Sequence, residues 1–381
     1  MKNWRWFWGL FCFLVSLLVL FEAPAKCFWY VAIGATEWCY VGVMMAWLPF
    51  LVPGPSLRGA STLSLLAGLI FLTPIIRAWP IARRLPSECE TRFGQLPPAK
   101  VPGSVVRQTP LSLLDLVRGI HTSPVEVHSY VYSRVSGEVL NFDLFTPNSH
   151  PHKLPGLLVV HGGSWASGKR DEFSELNRYL AAQGYLVADL DYRLAPRWHF
   201  PAAREDVFSA LAYLKQHAPA LGLDPSRLVL LGRSAGGQIA LAVAYSQRDP
   251  AIRGVIAFYA PSDLVFAYNN PSNPLIMNSR KVLETYIGGV PQALPALYLS
   301  ASPLNAVRQN SLPTLLIHGG RDELVWSVHS DRLAQRLETE GVPHLYLRLP
   351  WATHGCDVNF QGPSGQLSTY AIERFLAFVT K

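Results

Sequence analysis

The chain has 381 residues, of which 50% are hydrophobic and only 15% are charged, below the roughly 25% that is usual in soluble domains. The formal net charge is +7, and residues 1–110 carry most of the excess, with ten Lys and Arg against four Asp and Glu. Nucleic-acid binding needs a basic patch on a folded face, so this distribution excludes a nucleic-acid partner and favours a membrane beside the N-terminal third.

Three apolar segments lie in this N-terminal third, at residues 4–21, 28–52 and 63–76. Tryptophans lie near their ends, as in the aromatic belts of membrane proteins. A helix needs about 20 apolar residues to cross a bilayer, a length that the first two segments reach and the third approaches. The sequence therefore predicts about three transmembrane helices within residues 1–85 and a multi-pass membrane location.

The topology of this region has alternatives. The first segment also fits a cleavable signal peptide, because Ala23 and Ala25 form a small-x-small site, but further apolar segments follow at once and favour a span. Basic residues before the first segment and after the third give conflicting orientations, so the side of the membrane that the C-terminal domain occupies stays open. Glu37 is interpreted as a carboxyl that faces another helix rather than as a functional site within the membrane.

Residues 86–120 connect this region to the rest of the chain. Five prolines between positions 86 and 110 indicate a linker. Apolar residues at helical spacing within residues 111–120 indicate a short amphipathic helix after it. The remainder, residues 121–381, is expected to form one domain.

Strand-like and helix-like segments alternate in this domain. Val125–Val135 and residues 138–145 form a predicted hairpin with its turn at Ser136 and Gly137. Later strands such as LLVV (157–160) are continuous apolar runs, which are typical of parallel strands buried on both faces. The pattern predicts an α/β fold with a mostly parallel, doubly wound sheet, whose reactive groups collect at the carboxyl ends of the strands. The expected later strands are residues 156–160, 185–191, 227–231, 252–259, 313–318 and 344–349, and the expected helices are residues 171–183, 201–217, 235–246, 330–340 and about 366–379.

The sequence GRSAG at residues 232–236 fits the pattern G-x-S-x-G between a predicted strand and a predicted helix. A serine raised on so sharp a turn needs neighbours without side chains, which explains Gly232 and Gly236. Ser234 would also lie at a helix N-terminus, where free N–H groups and the helix dipole favour a developing anion. The motif predicts a nucleophile, although an ordinary helix cap is the simpler alternative.

The partners that such a serine needs follow other predicted strands. Asp322 comes just after strand 313–318, and His354 comes just after strand 344–349. The order Ser, Asp, His along the chain is the one expected for a nucleophile elbow on this type of sheet. Asp263 also follows a strand and is the alternative acid. The stretch HGGSW at residues 161–165 ends another strand, where backbone N–H groups can point at an oxyanion.

These motifs resemble those of the α/β-hydrolases, and within that superfamily those of the hormone-sensitive-lipase-type esterases. Besides HGGSW and GRSAGG, the chain carries DYRLAP at residues 191–196 and FPAAREDV at residues 200–207. HGGRDELV at residues 318–325 resembles the acid-bearing strand of that family. The resemblance covers roughly residues 120–381, with four separated motifs in the same order, and it implies an α/β-hydrolase fold.

The resemblance also implies an oxyanion hole built from backbone amides. The donors would be the amides of Gly163, Ser164 and Ala235, with Gly162 shaping the loop. Ser164 replaces the third glycine of the family's HGGG, a change that keeps the backbone donor. The residue before the nucleophile is often acidic or Gln in that family but is Arg233 here, which could alter substrate preference or pair with a carboxylate.

Four further residues have a structural interpretation. His161 is expected to hold the oxyanion loop by hydrogen bonding, and His318 to be structural. Trp165 either lines the acyl pocket or belongs to the core. Cys356 is not expected to be a nucleophile, because no glycine elbow surrounds it.

Together these residues predict a membrane-anchored serine hydrolase that cleaves carboxylic esters. Ser234 attacks the carbonyl, His354 acts as base and then acid, and Asp322 orients the imidazole. Neither a metal nor an organic cofactor is implied, and the expected partners are a small-molecule or lipid-like ester and a membrane, with the oligomeric state undetermined. The alternatives are a peptidase or amidase with the same three residues, or an inactive membrane-tethered binding protein.

Overall fold

An eight-stranded sheet forms the centre of the protein in the computed structural model, which describes residues 4–51, 58–94, 106–148, 153–246 and 249–381. The strands are β1 (Val125–Val135), β2 (Glu138–Pro147), β3 (Leu154–Val160), β4 (Leu186–Leu190), β5 (Leu223–Arg233), β6 (Ile252–Phe258), β7 (Thr314–Gly319) and β8 (His344–Leu349). Their order across the sheet is β1-β2-β4-β3-β5-β6-β7-β8. β2 is antiparallel to both of its neighbours, and all pairs from β4 to β8 are parallel.

Helices cover both faces of this sheet, and further helices lie apart from it at the N-terminus. The helices of the described residues are α1 (Trp4–Leu17), α2 (Lys26–Glu37), α3 (Cys39–Leu51), α4 (Arg58–Phe93), α5 (Leu113–Arg118), α6 (Ser174–Ala182), α7 (Ala202–Gln216), α8 (Ala218–Leu221), α9 (Ala235–Ser246), α10 (Leu264–Asn269), α11 (Ser279–Ile287), α12 (Pro295–Ser300), α13 (Val328–Thr339) and α14 (Pro363–Val379), with a short 3₁₀ helix at Pro303–Ala306. The predicted α/β fold with a mostly parallel sheet is therefore confirmed.

The two faces of the sheet bury two separate apolar cores. Along β3, Leu158 and Val160 belong to one core, whereas Leu157 and Val159 belong to the other. Successive side chains of a strand point to opposite faces, so a strand between two helix layers must be apolar at every position. This requirement accounts for the continuous apolar runs in the sequence.

The turn of the predicted hairpin lies where the sequence placed it. Ser136 and Gly137 both have positive φ, at 51° and 82°. Two such residues match the right-handed twist of the flanking strands. The hairpin adds β1 and β2 to the edge of the parallel sheet.

The expectation of about three transmembrane helices is wrong for the described residues. Within the part of the chain that the structure describes, α4 is the one helix long and apolar enough to cross a membrane, and the count rises to two if the bent pair α2 and α3 forms a single span. α1 has 14 residues, and α2 and α3 meet at an angle of 88°. The predicted second segment is broken beside Trp38 because α2 turns across the C-terminal domain instead of continuing in line with α3.

The two halves of the long helix α4 pack against different parts of the protein. Its second half places Ile81, Leu85 and Phe93 in the same core as α14, and the rings of Phe93 and Phe375 lie 5.4 Å apart. It continues to Phe93, beyond the start of the predicted linker, and the prolines of residues 95–105 lie outside the described residues. α4 is therefore a rigid connection between the N-terminal helices and the C-terminal domain.

The N-terminal helices α1 and α3 and the first half of α4 pack together with small residues at their contacts. Gly9 lies against the backbone of Ala60, Gly42 against the ring of Phe71, and Trp47 against Gly68. Many of the large apolar side chains on these helices are exposed, although Phe71 is buried at the helix contacts. The exposed ones are Trp4, Trp6, Phe7, Leu10, Phe11, Leu14, Met44, Met45, Leu48, Phe50, Leu51, Leu65, Leu66, Leu69 and Ile76. We call this group of helices the N-terminal bundle. Its pattern inverts that of a soluble domain, in which large apolar side chains are the ones most often buried.

Candidate active site

Ser234 lies on a sharp turn between β5 and α9. Its φ is 54°, a left-handed conformation that is strained for a residue with a side chain. A Cβ on Gly232 would lie 2.2 Å from the carbonyl oxygen of Gly236, and a Cβ on Gly236 would lie 2.1 Å from that of Val160. The two glycines of the motif are therefore required by close backbone approach, both within the turn and between it and the end of β3.

The structure brings together the three side chains that the sequence singled out. His354 Nε2 lies 2.9 Å from Ser234 Oγ, and His354 Nδ1 lies 2.7 Å from Asp322 Oδ2. The three residues follow β5, β8 and β7, whose carboxyl ends meet at one edge of the sheet. A hydrogen-bonded line thus runs from a hydroxyl through an imidazole to a buried carboxylate.

The surroundings of Asp322 keep its carboxylate charged. Its Oδ1 accepts hydrogen bonds from the amides of Leu324 (2.9 Å) and Val325 (2.8 Å), and His318 Nε2 lies 3.2 Å from Oδ2. Burial alone would raise the pKa of Asp322, but the charge on His354 and hydrogen bonds from His318 and His354 hold it well below its usual range. The carboxylate therefore remains an anion throughout the neutral pH range.

The alternative acid, Asp263, lies elsewhere. Its Oδ1 accepts from the amide of Phe266 and caps α10, and its Oδ2 pairs with Arg332 at 2.9 Å. His318, expected to be structural, is fully buried and contacts Ser330 and Val325 in addition to Asp322. It lies against the same carboxylate oxygen as His354, a contact that the sequence did not reveal.

The loop after β3 has an unusual backbone that faces Ser234. Gly163, Ser164 and Trp165 have φ values of 111°, 55° and 58°, and a Cβ on Gly163 would lie 2.1 Å from the carbonyl oxygen of Ser167. A Cβ on Gly162 would lie only 3.5 Å from that of Ser234, so this loop touches the turn that carries the serine.

Backbone amides are available at this contact. Ala235 is the first residue of α9, and the first N–H groups of a helix have no partner within it. Within the described part of the loop, the amides of Gly163 and Ser164 make no backbone hydrogen bond. The four residues expected to form an oxyanion hole, Gly162, Gly163, Ser164 and Ala235, therefore lie together beside Ser234.

The side chains of His161 and Trp165 hold this loop in place. The ring of His161 stacks on Tyr192 at 4.3 Å, and its Nδ1 donates to the carbonyl oxygen of Gly162 at 2.6 Å. Burial lowers the pKa of His161, so the ring stays neutral. Trp165 stacks on Tyr286 and donates to Gln238 at 2.8 Å, while one side of its ring lines a cavity, so it serves both as core and as cavity wall.

Arg233 forms a buried ion pair beneath the site. Its Nε lies 2.5 Å from Asp357 Oδ2, and Tyr259 donates to Oδ1 of the same carboxylate at 2.6 Å. Burial alone would lower the pKa of Arg233, but the charge of Asp357 raises it above its ordinary value. The ring of Tyr259 lies 4.4 Å from that of His354, so the pair supports one wall of the imidazole.

Cys356 is buried in the core and unpaired. Burial raises the pKa of its thiol well above the ordinary value. A neutral, inaccessible thiol is a poor nucleophile.

Two cavities meet at Ser234. The larger, of about 600 Å³, is lined by His354, Gly163 and Ser164 and is covered by one face of α2. The smaller, of about 40 Å³, lies between Trp165, Ala235 and Met277 and extends to His329. A reacting carbonyl at Ser234 would thus have a space on either side.

The sequence did not assign α2 to the site. The residues of this region that line the larger cavity are Lys26, Trp29, Tyr30, Ile33, Gly34 and Trp38. Their spacing of three and four marks one face of a helix. That periodicity is visible in the sequence, but within an apolar stretch it does not distinguish a face toward lipid from a face toward a cavity.

Comparisons with known proteins show which family the chain matches and which proteins it is similar to. The BD-FAE family matches residues 142–337, about half of the chain. The chain is 29% identical to Esterase LipC of Mycobacterium tuberculosis over 253 residues, which are 61% of each chain. It is 30% identical to Ethyl acetate hydrolase of Pseudomonas putida over 254 residues, 63% of this chain and 78% of the relative. The chain spans between half and two thirds of the length of the first three curated relatives that it matches.

Solved structures give the same picture. An esterase of Pyrobaculum calidifontis superposes with a TM-score of 0.58 at 26% identity, covering 68% of this chain and 86% of the other. A bacterial heroin esterase superposes with a TM-score of 0.56 at 27% identity, covering 65% and 84%. Fold and comparisons together define the class of the protein as an α/β-hydrolase of the esterase type.

Within that class, the chain belongs to the BD-FAE family. The family match begins within β2 and ends within α13, so it includes Ser234 and Asp322 but neither His354 nor the N-terminal bundle.

The buried pair beneath the site gives a prediction for stability. Arg233→Met or Asp357→Asn alone leaves a buried group without its partner and should lower the free energy of unfolding by about 3–5 kcal/mol. The double variant should lose less than the sum of the two losses, by about 1–3 kcal/mol, because neither partner is then left alone. Urea unfolding in detergent, followed by tryptophan fluorescence, measures the free energy of unfolding of the wild type, the two single variants and the double variant. Strictly additive losses would contradict the pairing.

Proposed function

We propose that this chain is a membrane-anchored serine hydrolase that cleaves carboxylic esters through an acyl-enzyme. The observation that carries the proposal is the hydrogen-bonded line from Ser234 through His354 to Asp322, which starts beside free backbone amides. A hydroxyl becomes a nucleophile when an adjacent base takes its proton, and a third group must orient that base. Each of these roles has a residue at hydrogen-bonding distance.

The reaction proceeds in two halves. Ser234 Oγ bonds to the acyl carbon while His354 Nε2 takes the hydroxyl proton, and the carbonyl oxygen becomes an oxyanion held by the amides of Gly163, Ser164 and Ala235. The bond from the acyl carbon to the alcohol oxygen then breaks, and His354 gives that oxygen its proton. Water next attacks the acyl carbon, His354 takes a proton from it, and the carboxylic acid leaves as Ser234 recovers its hydrogen.

Asp322 acts through His354. Its anion accepts the Nδ1 proton, which leaves Nε2 free to face Ser234, and it stabilises the imidazolium that forms in each half. Because the pKa of Asp322 is held below its usual range, this support persists throughout the neutral pH range and is lost only as the pH falls through that lowered value.

The comparisons support an ester as the bond that is cleaved. Both solved neighbours above and the curated relatives named with them are described as esterases or as a hydrolase of an ester. No feature of the described site favours a peptide, so ester hydrolysis is the function that fits best.

The N-terminal bundle supports a membrane anchor. Small residues at helix contacts with large apolar side chains outside are typical of helices in lipid. The apolar part of α4 lies between Arg58 and Arg77, a rise of about 28 Å at 1.5 Å per residue, close to the roughly 30 Å of a bilayer's hydrocarbon. The arginine at each end would then lie at the polar surface.

The three residues of the line can be tested separately. Ser234→Ala should lower kcat for p-nitrophenyl acetate by about 10⁴–10⁶, and Asp322→Asn by about 10⁴, because the imidazole loses its orientation. A fluorophosphonate should label the wild type but not Ser234→Ala. The measurements are ester hydrolysis and labelling of the full chain in detergent.

The matched control is Asp263→Asn, a carboxylate that also follows a strand but caps α10. It should change kcat by less than about twofold, since the amide oxygen can still cap. If folded wild type is neither labelled nor active, the chain is a binding protein and the proposal fails. If Asp263→Asn is the more damaging variant, the assignment of the acid is wrong.

Membrane anchoring has its own test. The wild type should stay in the membrane pellet after washing with alkaline carbonate. Leu69→Lys places a charge on the outward face of α4 at a cost of about 3 kcal/mol and should lower the membrane-bound fraction. Leu299→Lys, at a similarly exposed leucine on α12, should not. Release of the wild type by carbonate would refute the anchor.

A further inference from the structure

The two cavities at Ser234 differ in which residues reach them. His354 lines the larger cavity, together with Gly355 and Val358 that follow it. The lining of the smaller cavity includes Ser234, Ala235 and Ser164 but, among the described residues, not His354. The imidazole therefore faces only one of the two spaces.

This asymmetry fixes which part of an ester occupies which space. The leaving alcohol oxygen must receive its proton from His354 Nε2, so the alcohol has to lie on the side that the imidazole faces. The acyl group, which stays bonded to Ser234, must then extend to the other side. The larger cavity is thus the alcohol site, and the smaller cavity is the acyl site.

The size of the smaller cavity limits the acyl group. A water-sized group needs about 10–15 Å³ of such space, so a cavity of about 40 Å³ has room for a few such groups and limits the acyl group to a short chain. No Asp, Glu, Lys or Arg lines this cavity among the described residues, and burial lowers the pKa of His329 to about 3. A short, uncharged acyl chain fits, whereas a long chain or a dicarboxylate does not.

The larger cavity has room for a long apolar group on the side that α2 forms, while Lys26, Glu172 and Arg233 line other parts of it. Trp29 and Ile33 of α2 and Trp38 just after it cover this apolar side, and Ile276, Leu324 and Val325 face them from the C-terminal domain. Tyr30 and Trp38, which line this cavity on the side of α2, are also 57% and 37% exposed, so the lining of the cavity reaches the surface of the protein at these residues.

The cover is held firmly at both ends. At its start, the amide of Ala23 donates to Glu323 at 2.8 Å, and Arg321 donates to the carbonyl oxygens of Leu18, Val19 and Phe21. At its end, Asn359 donates to the carbonyl oxygen of Glu37 at 2.7 Å, and Ser364 donates to the Glu37 carboxyl at 3.1 Å. These contacts hold α2 in place as one wall of the larger cavity.

We propose, building on the function proposed above, that the site hydrolyses esters of a short acid, acetyl to butyryl, with a long apolar alcohol whose chain lies beneath α2. The small size of the acyl cavity and the position of His354 on the side of the larger cavity set this preference. An ester with the same atoms but with the long chain on the acid would have to force that chain into the smaller cavity.

Two isomeric esters test the proposal directly. Decyl acetate carries its long chain on the alcohol, and ethyl decanoate carries it on the acid, with the same number of carbons. In mixed micelles with the full chain, kcat/KM for decyl acetate should exceed that for ethyl decanoate at least 100-fold. If both are cleaved and ethyl decanoate is preferred or equal, the cavity assignment is wrong while the proposed function stands. If neither is cleaved and fluorophosphonate leaves Ser234 unlabelled, the proposed function itself has failed.

A substitution in α2 tests the position of the alcohol chain. Gly34 lines the cavity and a Cβ on it would meet no atom within 4 Å, so the side chain of Gly34→Phe starts in open space and adds a ring on the side of the cavity. It should lower the ratio of kcat/KM for decyl acetate to that for ethyl acetate at least tenfold. Val31→Phe adds a ring to the same helix at an exposed position that does not line the cavity, and should leave the ratio unchanged. An unchanged ratio in folded, fluorophosphonate-labelled Gly34→Phe would overturn the proposal.

Discussion

The close approach of two backbone turns is the constraint on which the site depends. The carbonyl oxygen of Val160, at the end of β3, lies where a Cβ on Gly236 would fall, and Gly162 lies against Ser234 itself. Since β3 and β5 are neighbours in the parallel sheet, the serine turn and the loop after β3 leave the sheet side by side. The sheet order thus brings free amides to the serine, and the glycines allow them to come within reach.

Asp322 and His354 depend on the same sheet, but they are secured differently. β7 and β8 pair with each other, so the residues that follow them emerge together and can meet Ser234 from one side. The carboxylate is then fixed by two amides and two imidazoles, and the imidazole is backed by Tyr259, which Asp357 and Arg233 hold in place. A low-dielectric surrounding strengthens each of these contacts because no water competes for them.

The sequence predicted the parts of this arrangement that are local. The glycine turn, the residues after the strand ends and the hairpin at Ser136 each reflect a backbone requirement that a short motif records. It offered pairing with a carboxylate as one role of Arg233 but did not identify Asp357, 124 residues away, as the partner, and it did not predict the support of Asp322 by His318. It also overestimated the membrane spans, because an apolar helix that covers a cavity and one that faces lipid have the same composition, and only packing distinguishes them.

The placement of α2 joins the proposed anchor to the proposed chemistry. The residues that hold its start, Arg321 and Glu323, flank Asp322, and those that hold its end follow His354 in the chain. A shift of the N-terminal bundle relative to the domain would therefore strain the segments that carry the acid and the base as well as the wall of the cavity. If the bundle lies in a bilayer, the same contacts hold the exposed rings of Tyr30 and Trp38 near the lipid surface, where amphipathic aromatic rings are favoured. An apolar alcohol chain could then pass from lipid to the cavity without crossing water, which would spare it the loss of roughly 0.8 kcal/mol of burial free energy per CH₂ group.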